Sequence, residues 1–180
     1  MTRKPSTIAK IWKTKAGFKA AIVFTRQKFY CGYVAVTKDH PLFKCRYGTN
    51  SPYLKDITEE EGLGERSAIT ALCASGRETS PEVAFDVHGS ITFSDMWTNA
   101  EVTVAELNDG NWWFGYDCAH AGDGEFPDTD DEGNIAYNAW AHTTDAPKSL
   151  EFCVAQCESL AQQILDKTLP MNLLEHKPNG

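Results

Sequence analysis

The chain has 180 residues, of which 42% are hydrophobic and 23% charged, the proportions of a globular protein with room for one sizeable core. A net charge of −8 argues against a protein that wraps long nucleic acid. No apolar run approaches the ~18 residues of a membrane span, and the basic start MTRKPSTIAKIWKTK lacks the apolar stretch of a secretory signal. A single domain over 1–180, in the cytoplasm and away from membranes, is therefore expected.

The charge is unevenly spread. Residues 1–38 hold nine Lys or Arg and no acid, whereas residues 121–132 hold six acids and no base. Residues 1–18 read as a basic N-terminal arm, either a solvated end or a face for a small anionic ligand. Cys31, Cys45, Cys73, Cys118, Cys153 and Cys157 form no CxxC pair, so a structural zinc site lacks its usual spacing. In a chain of this length without a signal they read as reduced thiols, several of them core fillers.

In chain order, KAAIVFTRQKFYCGYVAVT at 19–37 reads as two β-rich runs turning near Arg26–Lys28, a hairpin. Asp39-His40-Pro41 breaks the strand pattern. Residues 48–56 look like a loop, and 57–75 is rich in Glu, Ala and Leu and predicts a helix weakened by Gly62 and Gly64. EVAFDVHGSITFS at 82–94 alternates cleanly. Val83, Phe85, Val87, Ile91 and Phe93 fall on one parity, and Asp86, His88, Ser90 and Thr92 on the other, which predicts a strand with one core face and one polar face. Residues 101–107 alternate less cleanly, and Asn108-Asp109-Gly110 turns the chain into an aromatic strand at 112–117 that can neighbour the 82–94 run. Residues 122–134 form an acidic, turn-rich loop. A closing helix over 146–168 has Asp145 as its expected N-cap and an apolar stripe from Leu150 to Ile164. The fold class expected is α+β: a mostly antiparallel β-sheet with a C-terminal amphipathic helix packed on one face.

NWWFGYDCAHAGDG at 111–124 sets large aromatics beside Asp117, Cys118, His120 and Asp123. If the 82–94 and 112–117 strands are neighbours, His88 and His120 reach one cleft, whereas His40 reads as structural, His142 lies near the start of the final helix and His176 is in the tail. Two imidazoles titrating near ~6.5 suit general acid–base cleavage of a 3′–5′ phosphodiester through its own 2′-hydroxyl, one neutral and one protonated. That chemistry needs no metal or other cofactor. In this reading His88 and His120 are catalytic, in either order. Thr92 steadies the phosphoryl group and Asp117 orients His120. Lys13, Lys15, Lys44 and Arg46 contact phosphate, and Trp113 and Tyr116 offer faces for a base. One rival is a metal-dependent hydrolase with Asp117, His120 and Asp123 as ligands. Another is Cys118 as nucleophile beside His120, disfavoured by Asp117.

FYCGYVAVTKDHPLF at 29–43, DVHGSITFS at 86–94, NWWFGYDCAHAGD at 111–123 and SLEFCVAQCESLAQQI at 149–164 together resemble a family spread through bacteriophages and prophages. Its members carry a His-Gly-Gly-Leu-Thr-Tyr strand and a Trp-Trp-Phe-Gly-Phe-Asp-Cys-Ala-His-Ala-Gly-Asp block. Here Ser90 replaces the usual second glycine and Phe93 the usual tyrosine, so a role for that phenol does not carry over. The family is similar to the phage nucleases that destroy cyclic dinucleotide signals of bacterial defence (anti-CBASS activity). The resemblance implies a phage-encoded protein in the cytoplasm of an infected host, cutting a cyclic di- or oligonucleotide. The alternatives left open are a protein that sequesters such a signal uncut and a partner-binding phage protein. A homodimer is the default assembly.

Overall fold

The computed structural model describes residues 6–54, 79–98, 102–124, 126–129, 135–136 and 146–171. The helix expected at 57–75, Cys73, Asp145, His142 and His176 lie outside the described residues. Five strands form one antiparallel sheet: β1 (Thr7–Lys13), β2 (Lys19–Phe24), β3 (Tyr30–Val36), β4 (Phe93–Asp95) and β5 (Trp112–Asp117). Their spatial order is β1-β2-β3-β5-β4. A one-turn helix α1 (Pro81–Ala84) and a 3₁₀ helix (Val102–Leu107) flank β4. A short β6–β7 pair (Asp128–Thr129 with Ile135–Ala136) follows β5, and α2 (Leu150–Lys167) closes the described chain. This is an α+β fold, with α2 packed on β2 and β3.

The period of two divides the strand residues between two cores. Ala20 and Ile22 of β2, Val34 and Val36 of β3, and Trp112, Phe114 and Tyr116 of β5 face α2, where they meet Cys153, Cys157, Leu160, Ala161 and Ile164. Ala21, Val23, Cys31, Tyr33, Ala35 and Trp113 face the other way and are covered by Trp97 and Leu107. Burying a large side chain on either face contributes about 1.5–3 kcal/mol. Two cross-strand pairs lock β3 to β5. Tyr116 lies over Gly32 and Tyr33 over Gly115, so close that a Cβ on either glycine would come within 2.4 Å of the tyrosine. Only glycine permits either pairing.

α2 begins where Ser149 accepts a hydrogen bond from the Phe152 N–H at 3.1 Å. Its cap is thus Ser149, four residues beyond the expected Asp145, and is worth about 1 kcal/mol. Glu158 ties the helix to the β1–β2 hairpin, accepting from Trp12 Nε1 at 2.8 Å and from the Lys15 N–H at 2.9 Å. Residues 7–13 of the expected arm are therefore an edge strand rather than a loose end.

The strand expected at 82–94 is corrected, and the looser alternation at 101–107 takes another form. Of 82–94, only Phe93 and Ser94 pair in the sheet, in a strand that ends at Asp95. Pro81 in the first turn starts a helix, and Gly89 and Ser90 take positive φ (70° and 93°), which no ladder accommodates. Phe85, Val87 and Ile91 are nevertheless buried in the α2-side core, and Asp86 and Thr92 are exposed. The alternation reported burial, not strand pairing. Residues 102–107 wind into a 3₁₀ helix whose Leu107 plugs the second core.

Candidate active site

β5 ends at Asp117, but its chain stays against β3 for one more bond, Cys118 N–H to Tyr30 O at 3.0 Å. Asp117 then turns the backbone: its Oδ1 accepts from the Ala119 N–H at 3.1 Å, and its Oδ2 accepts the Thr92 hydroxyl at 3.0 Å. Asp123 closes the loop. Its N–H donates to His120 O, and its Oδ2 accepts the His120 N–H, both at 2.9 Å. The two carboxylates of DCAHAGD thus fold the loop on which His120 sits.

His88 arrives from the segment between α1 and β4. Its backbone N–H donates to Gln156 Oε1 of α2 at 2.9 Å. Two residues earlier, Gln163 binds both backbone groups of Asp86, accepting from its N–H at 2.7 Å and donating to its carbonyl at 2.8 Å. The two rings meet edge to face, with centroids 5.4 Å apart and planes at 87°. Phe152 lies edge-on to His88 at the same separation, and Gly89 lies directly against the His120 ring.

One carboxylate joins the pair. Asp123 Oδ2 is 2.8 Å from His88 Nε2 and 3.6 Å from His120 Nδ1, and Asp117 Oδ1 is 3.7 Å from that same Nδ1. His120 Nδ1 is buried without a hydrogen-bond partner. Lys148 Nζ stands 3.5 Å from the other oxygen of Asp123. Burial by itself raises the Asp123 carboxyl. The His88 hydrogen bond, the His120 N–H and the charges of His88 and Lys148 outweigh it and hold the group below its ordinary value. His88, His120 and Asp123 place one donor atom each within 4.8 Å of one another, a set that can hold a metal ion.

Of the residues read as catalytic, His88, His120, Thr92 and Asp117 are brought together. Thr92 donates to Asp117, so its contact is to the carboxylate beside His120. The expected ligand contacts fare differently. Trp113 is fully buried and donates from Nε1 to Leu107 O at 3.1 Å, and Tyr116 is buried with its hydroxyl on Cys153 O at 2.9 Å. Neither ring has a face for a base, because the second core and α2 already cover them. Lys13 and Lys15 lie at the β1–β2 end, and Arg46 pairs with Asp95 at 2.9 Å while lying over Trp112. Lys44 and Arg46 line a cleft of about 180 Å³ with Tyr53, formed by residues 41–53. Among the described residues, no contact joins these four cations to either histidine. The nucleophile option at Cys118 is also corrected: this thiol is buried 3.6 Å from Cys153 Sγ, and the hydrogen bond to Cys153 and then burial push it well up. The five described cysteines are all free and buried. Burial pushes Cys31 and Cys157 up to about 12.

Sequence reasoning missed Lys148, Gln156, Gln163 and Phe152. The glutamines carried a signal: they sit seven apart, on one edge of an otherwise apolar stripe. Lys148, next to the helix start, carried none.

No protein-family profile matches the chain, and neither a curated protein nor a solved structure matches it. Among the described residues no helix is long and apolar enough to cross a membrane.

Proposed function

We propose that this chain is a phosphodiesterase acting on a small cyclic di- or oligonucleotide, with His88 and His120 at the scissile linkage. The observation that carries the reading is the convergence of two imidazoles from separate segments on one buried carboxylate, Asp123. Displacement at phosphorus needs groups that manage the attacking and leaving oxygens and positive charge for the phosphoryl oxygens. The imidazoles supply the first and Lys148, 30% exposed on the rim of the pair, the second. Asp117 and Asp123 hold the geometry, and Thr92 and Gln156 hold Asp117 and His88 in turn. A net charge of −8 favours a small anion over a long one, since a short ligand meets only the local field. The setting, phage-encoded removal of a defence signal in the host cytoplasm, rests on the motif resemblance.

The test is incubation with cyclic dinucleotides followed by chromatography of the products. A linear nucleotide supports the reading, and its end group reports the nucleophile. A 2′,3′-cyclic phosphate, or the 3′-phosphate it hydrolyses to, marks attack by the substrate's own 2′-hydroxyl, and a 5′-phosphate with a free 3′-hydroxyl marks attack by water. Intact ligand released from the protein by heat contradicts cleavage and marks a sequestering protein instead.

A further inference from the structure

We infer that the carboxylate-facing side of this centre binds a divalent transition-metal ion through His88 Nε2, His120 Nδ1 and Asp123 Oδ2, with Asp117 Oδ1 as the oxygen next in reach. Its catalytic consequence rests on the phosphodiesterase reading; the binding does not.

Three observations converge. The first is spacing. Metal–nitrogen bonds of 2.0–2.1 Å in a tetrahedral site set donor atoms about 3.3 Å apart. Here Asp123 Oδ2 lies 2.8 Å from His88 Nε2 and 3.6 Å from His120 Nδ1, and one donor atom from each of the three residues lies within 4.8 Å of the others. The second is the state of His120 Nδ1. It is buried, it has no hydrogen-bond partner, and it faces two carboxylate oxygens at 3.6 and 3.7 Å. Those separations are too long for hydrogen bonds, yet they fit donors around a shared ion. An orphaned buried nitrogen is destabilising, and coordination removes that cost. The third is support. His88 is fixed through its backbone by Gln156, Asp117 by Thr92 and the Ala119 N–H, and Asp123 by the His120 N–H. Metal ligands need such outer contacts to hold their orientation.

Two imidazoles with one or two carboxylates suit zinc, manganese, iron or cobalt rather than calcium or magnesium, which prefer oxygen alone. Two carboxylates also balance the charge of a divalent ion. The ion would lower the pKa of a bound water to about 7. In that form the imidazoles manage the attacking oxygen by holding the ion rather than as a free acid and base: the hydroxide oxygen bonds to phosphorus as the phosphorus–oxygen ester bond breaks. The proton lost by the water ends on the leaving oxygen, so no other reactant is needed.

The experiment uses the full chain, stripped with EDTA and then freed of it, titrated with Co²⁺ and with Zn²⁺. Wild-type protein should take up one equivalent of either, with a rise in melting temperature. The Co²⁺ form should show a visible spectrum without a thiolate charge-transfer band, since the cysteines are not donors. His88→Gln and His120→Gln should each weaken uptake by at least about 100-fold, with far-UV circular dichroism confirming that they fold. Uptake unchanged in folded His120→Gln, a thiolate band, or no uptake by folded wild type would each overturn the inference. Uptake without cleavage leaves the metal site standing and sinks the phosphodiesterase reading. Cleavage undiminished in EDTA by a protein that takes up no metal does the reverse.

Discussion

Gly89 lies under the His120 imidazole, and a Cβ at residue 89 would come within 2.0 Å of His120 Cε1. Gly89 also has φ of 70°. The position is thus closed to other residues twice over, by backbone conformation and by the ring above it. Gly89→Ala should lower stability by about 1–2 kcal/mol from the left-handed backbone alone and reduce cleavage about 100-fold by displacing His120. Thermal melts and initial rates check both. Ser90→Gly is the control: Ser90 has φ of 93°, a conformation that glycine adopts without steric cost, and both activity and melting temperature should hold or rise.

Tyr116 separates packing from ligand binding. Its hydroxyl meets Cys153 O inside the α2-side core. Tyr116→Phe should cost about 1 kcal/mol in denaturant unfolding and leave kcat and KM as they were. A raised KM with unchanged stability would restore it to the ligand.

The fold was legible where periodicity and burial coincide. The β2–β3 hairpin, the aromatic β5 and the stripe of α2 all bury one face against a regular partner. The 82–94 run misled because alternation records which side chains are buried, and Gly89 and Ser90 bend an alternating chain out of the ladder. The same bend places His88 beside His120, so the pair was foreseen through a strand that is mostly loop. Trp113 and Tyr116 misled for the opposite reason. A sequence cannot tell an aromatic that faces a ligand from one covered by a later helix. Lys148 and the two glutamines reach the site only through the docking of α2, a long-range fact with little local trace.

Gln163 links α2 to the segment that carries His88. It holds both backbone groups of Asp86, and Gln156 holds the His88 N–H. Gln163→Ala together with Gln156→Ala should cost about 3 kcal/mol, near 1 for each of the three hydrogen bonds lost. Because His88 loses its backbone anchor, the rate should fall about 10-fold or more. Equal rates at a temperature where both proteins are folded would show that α2 does not position His88.

Acid should act on the β1–β2 hairpin through Glu158. Burial raises this carboxyl, but the Trp12 and Lys15 N–H donors and the charges of Lys15 and Lys10 outweigh it and set its folded value below the ordinary one. Its contribution is therefore complete above the unfolded carboxylate pKa, near ~4.3, and is lost as pH falls through the lower folded value. Glu158→Gln should flatten the stability curve below the unfolded carboxylate pKa of about 4.3, as read by urea melts at each pH. Parallel curves for the two proteins would remove Glu158 from the account.

The most direct measurement of the central claim is the single-turnover rate of cyclic dinucleotide cleavage by wild type, His88→Ala and His120→Ala, with circular dichroism confirming each fold. Wild type should yield a linear product, and each substitution should cut the rate at least ~100-fold. Intact substrate with wild type, or a near-wild-type rate in either folded variant, would contradict it.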